Sequence, residues 1–290
     1  FRSARLVIEN IKEADELGGL MASHVKVVGV LHDDNGRING VKAKDLLTDE
    51  EFEIKAKMVI NTTGPWVTKT LGLDDKNGEG EVIRPTKGVH LVVDSSRLRV
   101  PQPTYFDSGI GDGRMIFVVP RENKTYFGTT DTDYTGDYKH PRVEQADVDY
   151  LLKAINNRYP EAEITINDIE ASWAGLRPLL SGNGSSDYNG GGSNTGKVSD
   201  ESFENLIKTA VAYSKDEASR GEVEKSISSL KTASAEKTLS PSQVSRGSSL
   251  KVGDDGLITL SGGKITDYRK MAAGAMELIR KLFKELFNKD

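Results

Sequence analysis

A short glycine-containing segment is the clearest candidate for a ligand site. It reads SGGKIT over residues 261–266, between an apolar run and a long amphipathic pattern, and this predicts a strand, a tight turn and a helix start. Two glycines let the backbone approach a ligand closely, and the N–H groups of a helix start attract negative charge. The segment is not a phosphate-binding P-loop, because the first glycine of that motif would fall at Ile258. An ordinary strand–turn–helix with glycines for geometry is the alternative.

A second candidate lies at the end of the apolar run VINTTGPWV, residues 59–67. The run ends in Thr62, Thr63 and Gly64, and strand ends of this kind are where α/β sheets place their ligands. A strand followed by a helix, with Pro65 near its first turn, is the alternative interpretation.

Three arginines stand in settings that suit a phosphate: Arg84 before a proline, Arg177 in AGLRPLL and Arg246 in SRGSS. A guanidinium binds a phosphate through two parallel hydrogen bonds and never loses its charge, so two convergent arginines suit a phosphorylated substrate. Most arginines, however, are solvated or paired with carboxylates.

His90 is a candidate base, although a histidine in an alternating apolar run such as KGVHLVV is more often a strand or core residue. The chain has four histidines, and none shows the H-x-x-x-H spacing of a metal site. We therefore predict no metal.

The composition argues against several classes of function. A net charge of −5 disfavours nucleic acid, and the absence of cysteine excludes disulfides, thiolate catalysis and cysteine-based zinc sites. It also fits a reducing compartment, and we expect a cytoplasmic protein. No apolar run approaches the ~20 residues of a transmembrane helix, and no signal peptide is visible. The chain opens at Phe1 inside a helical pattern, which we interpret as a segment of a longer protein.

The hydrophobic pattern predicts an opening helix and then a β-rich block, in which the turn Asp33–Gly36 separates two strands. Strands are predicted at 24–32, 37–47, 50–61, 88–94, 115–119, 124–130 and 163–172. A helix is predicted from 145 to 158, stopped by Pro160.

Composition changes after residue 180. The Ser/Gly/Asn-rich residues 181–196 predict an exposed flexible loop, and helical patterns follow at 200–214 and 216–231. We interpret 181–240 as an insertion. The chain then closes with a strand, the glycine turn and a long amphipathic helix.

Several segments together resemble a known family. In chain order they are SARLVIEN, VINTTGPWV, IRPTKGVHLVV, RMIFVVPRENKTYFGTTDTDYTGD, AGLRPLL, VSRGSSL and LSGGKITDYRKMA. This set and order resemble the FAD-dependent glycerol-3-phosphate dehydrogenases, from Ser3 to the last helix, and the joint match is highly specific. The insertion resembles that of the bacterial glycerol-3-phosphate oxidases, whose flavin is reoxidised by oxygen to give hydrogen peroxide.

The resemblance implies an α+β or α/β fold. It consists of a mixed, largely antiparallel substrate-binding sheet with flanking helices, plus the strand and helix that complete an FAD-binding domain. On this basis residues 1–61 form a helix and β block that leads into the FAD-domain strand end. Residues 62–250 form the substrate-binding domain with the insertion 181–240, and 251–290 supply the strand, Gly-Gly turn and helix of the FAD domain.

The resemblance also implies oxidation of glycerol 3-phosphate to dihydroxyacetone phosphate by hydride transfer to FAD, with oxygen as the acceptor. Arg177 and Arg246 would hold the substrate phosphate, and His90 or Lys264 would take the proton of the C2 hydroxyl. The residues implied to contact FAD are Thr62, Thr63, Gly64, Gly262, Gly263, Lys264, Ile265 and Thr266.

One feature of the family is missing, because no G-x-G-x-x-G turn stands anywhere in the sequence. We therefore expect a fragment without the N-terminal dinucleotide-binding segment, inactive by itself. Self-association and peripheral membrane contact are left open. A related flavin oxidase of amines or amino acids, which would need one arginine for a carboxylate, is an alternative function. A non-enzymatic binding module is another.

Overall fold

The computed structural model describes residues 3–74, 83–180, 200–215, 219, 222–223 and 247–287. The predicted loop 181–196, Arg246 and most of the predicted helix 216–231 lie outside the described residues. The chain divides into two units, Phe1–Glu81 with Ser248–Asp290, and Val82–Gly247. The division expected from the sequence places the segment after residue 61 in the substrate-binding domain, whereas residues 62–74 belong to the first unit.

The first unit combines segments from both ends of the chain. Its helices are α1 (Ser3–Glu16), α2 (Val67–Leu71) and, late in the chain, α5 (Tyr268–Phe287). Its strands are β1 (Val25–His32), β2 (Ile38–Asp45), β3 (Glu51–Lys55), β4 (Ile60–Asn61), β11 (Ser248–Val252) and β12 (Ile258–Gly262). Short 3-10 turns, Gly64–Trp66 and Ile265–Asp267, precede α2 and α5.

Two three-stranded sheets organise this unit. One has the antiparallel order β1-β2-β3, and the other the order β11-β12-β4. The turn between β1 and β2 forms as predicted, because the Asp33 carboxylate accepts the N–H groups of Asn35 and Arg37, each at 2.9 Å. In the second sheet β12 runs parallel to β4, so strands distant in sequence share one sheet.

The second unit is built on a larger sheet. Its strands are β5 (Ile83–Asp94), β6 (Thr104–Asp107), β7 (Met115–Arg121), β8 (Lys124–Gly128), β9 (Thr132–Asp133) and β10 (Ile169–Leu180). Its helices are α3 (Gln145–Arg158) and α4 (Asp200–Ser214). The strands pair in the order β10-β5-β8-β7-β6, with β9 beside β5, and every pairing is antiparallel. This confirms the predicted mixed fold with a largely antiparallel sheet.

The core of the second unit lies between one face of this sheet and α3. Alternate residues of β5 are buried there, and α3 contributes Leu151 and Ile155. On this face β5 buries Lys87, Val89, Leu91 and Val93, and Ile83 and Thr86 of the same strand are buried as well. The opposite face of β5 therefore carries Thr86, Gly88 and His90.

The strand predicted at 163–172 is only partly correct. Residues Ile166–Asp168 form a 3-10 turn, because Thr165 and Asp168 cap each other through side chain and backbone. Strand β10 starts at Ile169 and continues to Leu180, so the AGLRPLL segment lies in a strand. The sequence also missed the short strands β6, β9 and β11.

The sequence contains no apolar run long enough to span a membrane. In the described parts of the chain, likewise, no helix is both long and apolar enough to cross a membrane.

Candidate functional site

Arg177 and His90 lie on the same face of the large sheet. Arg177 on β10 pairs with Thr86 on β5, and Trp173 on β10 pairs with His90. Directly opposed residues of an antiparallel pair point to the same face, as do alternate residues of one strand. The register therefore brings together two of the predicted site residues on the side of the sheet opposite to the α3 core.

The guanidinium of Arg177 is held in one orientation. Its Nη2 donates to the Thr129 hydroxyl at 2.9 Å, and its Nη1 donates to the Thr130 carbonyl at 3.2 Å. The Asp131 carboxylate lies 3.4 Å from Nη1, longer than an ordinary charge-assisted hydrogen bond. Gly88 lies directly under the guanidinium, where a Cβ would overlap Nη1 and Nη2. The arginine is thus pre-positioned against the backbone of β5.

His90 is packed between aromatic rings. Its imidazole stacks on Trp173 with ring centroids 4.8 Å apart, and Tyr126 meets it edge-on at 6.2 Å. A Cβ at Gly128 would lie 2.6 Å from the imidazole Cδ2, so this glycine leaves the ring its space. Burial, and secondarily the positive charge of Arg177, lower the pKa of His90 to about 4. His90 is therefore a neutral imidazole at neutral pH.

The same sheet face carries exposed aromatic residues that sequence reasoning did not single out. Trp173 is 45% exposed, Phe117 44% and Tyr105 43%. The i, i+2, i+4 spacing of Trp173, Gly175 and Arg177 would have indicated a common strand face, had this segment been recognised as a strand. Within this unit the face offers a cation, an imidazole and apolar rings, a combination suited to a small anionic organic molecule.

Other groups of the second unit are engaged elsewhere. Arg84 forms a two-pronged ion pair with Asp133, with Nη2 2.6 Å from Oδ2. A cleft of about 770 Å³ is lined by residues between Lys87 and Tyr150, and neither Arg177 nor His90 is among them. The predicted phosphate partner Arg246 lies outside the described residues, so its convergence with Arg177 stays a prediction.

In the first unit the two predicted cofactor segments lie at one sheet edge. The parallel pair β4–β12 aligns Ile60 with Ile258 and Asn61 with Thr259. Parallel strands end at the same edge, so Thr62–Gly64 and Gly263–Thr266 follow the same ends of β4 and β12, although β12 continues to Gly262, three residues beyond its pairing with β4.

Side-chain hydrogen bonds shape the first of these turns. The Asn61 carboxamide oxygen accepts the Thr63 hydroxyl at 2.7 Å and its backbone N–H at 3.2 Å. The Thr63 hydroxyl also lies 3.0 Å from that of Thr70 on α2. Gly64 has a φ of 56°, and a Cβ there would point into open space. The strand end is a hydrogen-bonded turn with room beside its backbone at Gly64.

The second turn has the predicted glycine geometry. Gly262 and Gly263 have φ values of 69° and 82°, which L-residues with a side chain rarely adopt. The Lys264 carbonyl accepts the Asp267 N–H at 2.9 Å, and α5 follows from Tyr268. The turn thus ends at a helix N-terminus, as expected for a segment that receives negative charge.

Comparison with known proteins identifies the family of the chain. The family model described as FAD dependent oxidoreductase matches residues 1–196. The chain is 63% identical over 286 residues to the alpha-glycerophosphate oxidase of Streptococcus pneumoniae serotype 4, covering 99% of this chain and 47% of that protein. It is 61% identical over 282 residues to the enzyme of the same name from Enterococcus casseliflavus, covering 97% and 46%.

A solved structure agrees over nearly the whole chain. The glycerol-3-phosphate dehydrogenase from Bacillus halodurans, complexed with FAD, superposes with a TM-score of 0.70 at 34% identity. The match covers 97% of this chain and 43% of that one. The chain spans about half the length of the curated relatives it matches. With the family model matching most of its length, the chain belongs to the FAD dependent oxidoreductase family.

Proposed function

We propose that the protein to which this chain belongs oxidises glycerol 3-phosphate to dihydroxyacetone phosphate with FAD, and that oxygen takes up the electrons to give hydrogen peroxide. The relatives at 63% and 61% identity are named alpha-glycerophosphate oxidase. The observation that carries the proposal is the common sheet face of Arg177 and His90. Within one unit, that face would supply Arg177 to bind a phosphate and His90 to accept a proton.

Arg177 would bind the substrate phosphate. Its contacts with Thr129 and Thr130 fix the guanidinium before substrate arrives, which lowers the entropy lost on binding. A phosphate oxygen would also compete well with the long contact to Asp131. Arg246 is proposed as the second phosphate ligand from the family resemblance alone.

His90 is proposed as the group that accepts the C2 hydroxyl proton, with Lys264 as the alternative. A neutral imidazole is in the correct protonation state to act as a base. A bound phosphate would offset the charge of Arg177, one of the two causes that lower the pKa of His90, and so would make the imidazole more basic. The effect of burial, the larger of the two causes, would remain.

The strand-end turns of the first unit fit the flavin. Open space beside Gly64 and the left-handed turn at Gly262 and Gly263 let backbone N–H groups approach a planar ligand. We propose that Thr62–Gly64 and Gly262–Thr266 hold its ring system, with the start of α5 facing the edge that becomes negative on reduction. The flavin, when bound, supplies the two-electron chemistry of alcohol oxidation and passes the electrons to oxygen. The expected cytoplasmic location stays a prediction.

The test uses the full-length protein, loaded with FAD and assayed for peroxide under air. We expect the parent enzyme to turn over glycerol 3-phosphate. In Arg177→Ala the KM should rise roughly 10- to 100-fold, because one charge-assisted interaction with the phosphate is lost. Arg158→Ala, which removes an exposed arginine at the end of α3, is the matched control and should leave KM unchanged.

Substrates that differ in charge make the test sharper. Arg177→Ala should have little effect on any residual turnover of glycerol, which has no phosphate. An unchanged KM for glycerol 3-phosphate in Arg177→Ala would contradict the phosphate assignment. Oxidation of an amine or amino acid in preference to glycerol 3-phosphate would favour the alternative flavin oxidase.

A further inference from the structure

Three side chains of the first unit form a cluster that has no role in the proposed function. Nε2 of His32 lies 2.9 Å from Oδ2 of Asp74 and 3.5 Å from Oδ2 of Asp255. Each side chain offers one ligand atom, and these atoms lie within 4.8 Å of one another. We propose that His32, Asp74 and Asp255 bind a divalent transition-metal ion of the Zn²⁺ type.

The strongest support is that two of these ligand atoms are buried without a hydrogen-bond partner among the described groups. They are Nε2 of His32 and Oδ2 of Asp255, and the Asp255 side chain is only 2% exposed. The contact between His32 and Asp74 has the length of a hydrogen bond but not its direction. Because buried polar atoms are normally satisfied, the arrangement calls for a partner that both atoms can face at once. A metal ion is such a partner.

The separations suit ligands that share one ion. Nitrogen and oxygen ligands lie about 2.0–2.2 Å from Zn²⁺, so neighbouring ligands are roughly 3.0–3.5 Å apart in tetrahedral or octahedral geometry. The distances of 2.9 Å and 3.5 Å from His32 Nε2 come close to this range.

The backbone fixes the position of Asp255. Its Oδ1 accepts the N–H of Leu257 at 2.9 Å, which turns Oδ2 toward His32. Its carbonyl accepts the N–H of Ile38 at 2.8 Å, the residue that pairs with His32 in the β1–β2 hairpin. The turn before β12 and the end of β1 are therefore held together independently of the proposed ion, as a pre-formed site requires.

The charge balance also favours a cation. Asp74 and Asp255 bring two carboxylates to one imidazole, and the side chains of both are largely buried. A divalent ion neutralises this charge and joins three segments of the unit.

The ligand types select among metals. Imidazole suits Zn²⁺ and similar ions, whereas Mg²⁺ and Ca²⁺ prefer sites made only of oxygen. We therefore expect Zn²⁺ to bind and Mg²⁺ not to compete. The ligands come from segments far apart in the sequence, so the spacing of the histidines could not reveal this cluster and led to the prediction of no metal.

The test measures Zn²⁺ binding to the chelator-treated chain by equilibrium dialysis and calorimetry. We expect one equivalent to bind saturably, with a rise in Tm and no effect of excess Mg²⁺. His32→Gln and Asp255→Asn should each weaken binding at least about tenfold, the smallest loss typical even for residues that only support a metal ligand. His140→Gln, at an exposed histidine of the second unit, is the control and should bind as the parent does.

A proton is the competing occupant, with a charged His32 lying between two carboxylates. Absence of saturable Zn²⁺ binding at slightly alkaline pH, or binding that survives all ligand substitutions, overturns the proposal. If Asp255→Asn fails to fold, Asp74→Asn replaces it, and the visible absorption of bound Co²⁺ reports the ligands in the parent chain. A Co²⁺ spectrum that shows no nitrogen ligand, or one that His32→Gln leaves unchanged, also overturns the proposal. Both readouts are independent of catalysis.

Discussion

The His90 imidazole stacks on Trp173, and its burial and the positive charge of Arg177 both lower its pKa. Burial has the larger effect, because an imidazolium loses hydration between Trp173 and Tyr126. The consequence for stability has a definite sign. The unfolded chain takes up a proton near the ordinary pKa of histidine, whereas the folded chain takes it up only near pH 4.

We therefore expect the contribution of His90 to stability to be fully present above about pH 6.5 and to be lost as the pH falls toward 4. The loss should reach at most about 3 kcal/mol, reduced by the solvent that still reaches the ring. Urea unfolding of the chain at a series of pH values measures it. His90→Gln should flatten the pH dependence in this window, and the exposed His140→Gln should not. Equal slopes in the parent and His90→Gln would contradict the assignment.

At the scale of elements, Lys87 attaches helix α3 to the large sheet. Its Nζ lies 2.7 Å from both Glu144 and Asp147 in the capping box of α3, although the side chain is only 2% exposed. Burial disfavours the ammonium, but the hydrogen bonds to Asp147 and Glu144 outweigh it and raise the pKa of Lys87. The start of α3 and strand β5 are thus joined by the buried pair Lys87–Asp147, with the largely exposed Glu144 as a second partner of Lys87.

Lys87→Met should destabilise the second unit by roughly 3–5 kcal/mol, because it leaves the buried Asp147 carboxylate without its counter-charge. Lys124 provides the matched comparison, since it also bridges two carboxylates, Asp94 and Glu170, but at the surface. Lys124→Met should cost no more than about 1 kcal/mol. Urea unfolding followed by circular dichroism compares the free energies of unfolding of the two variants. Equal losses would show that the burial of Lys87 does not add to its contribution to stability.

The glycine turn before α5 gives a second prediction about stability. Gly263 combines a φ of 82° with close packing, since a Cβ would lie 2.7 Å from Cε of Met271. Gly111 has a similar φ of 85° but open space around it. Gly111→Ala should cost about 1–2 kcal/mol from the backbone alone.

Gly263→Ala should cost about 0.5–1.5 kcal/mol more than Gly111→Ala, because its Cβ must push the flexible end of the Met271 side chain out of its place. Adding Met271→Ala should recover part of that excess, and the free energies of unfolding of single and double variants measure it. A Gly263→Ala variant no less stable than Gly111→Ala would mean that the turn has room for a side chain.

At the scale of the whole molecule, we expect the 290-residue chain by itself to bind no FAD and to show no activity. FAD is held along its length, and the sequence contains no G-x-G-x-x-G turn to receive the pyrophosphate. The flavin-ring segments alone offer too little surface to offset the immobilisation of a long flexible cofactor. A visible absorbance spectrum and a peroxide assay, with the full-length protein as control, test this. A yellow chain that oxidises glycerol 3-phosphate would refute it.

The sequence by itself determined the features that depend on neighbouring residues. Asp33 and its glycine-containing turn fixed the β1–β2 hairpin, and Pro160 marked the end of α3. The glycines at 262–263 determined the left-handed turn before α5. These features were predictable because a turn or helix end is set by the allowed dihedrals and hydrogen bonds of a few adjacent residues. The set of family-like segments also indicated the family.

The tertiary structure alone decided which distant side chains meet. The common face of Arg177 and His90 follows from the register of β10 on β5, and a shift of one residue would have sent Arg177 into the α3 core. The burial of Lys87 and the meeting of His32 with Asp255 depend in the same way on contacts between segments remote in sequence. Periodicity assigns each residue to a face of its own strand or helix. Which strand or helix lies opposite is set by the packing of the whole unit, which no local pattern encodes.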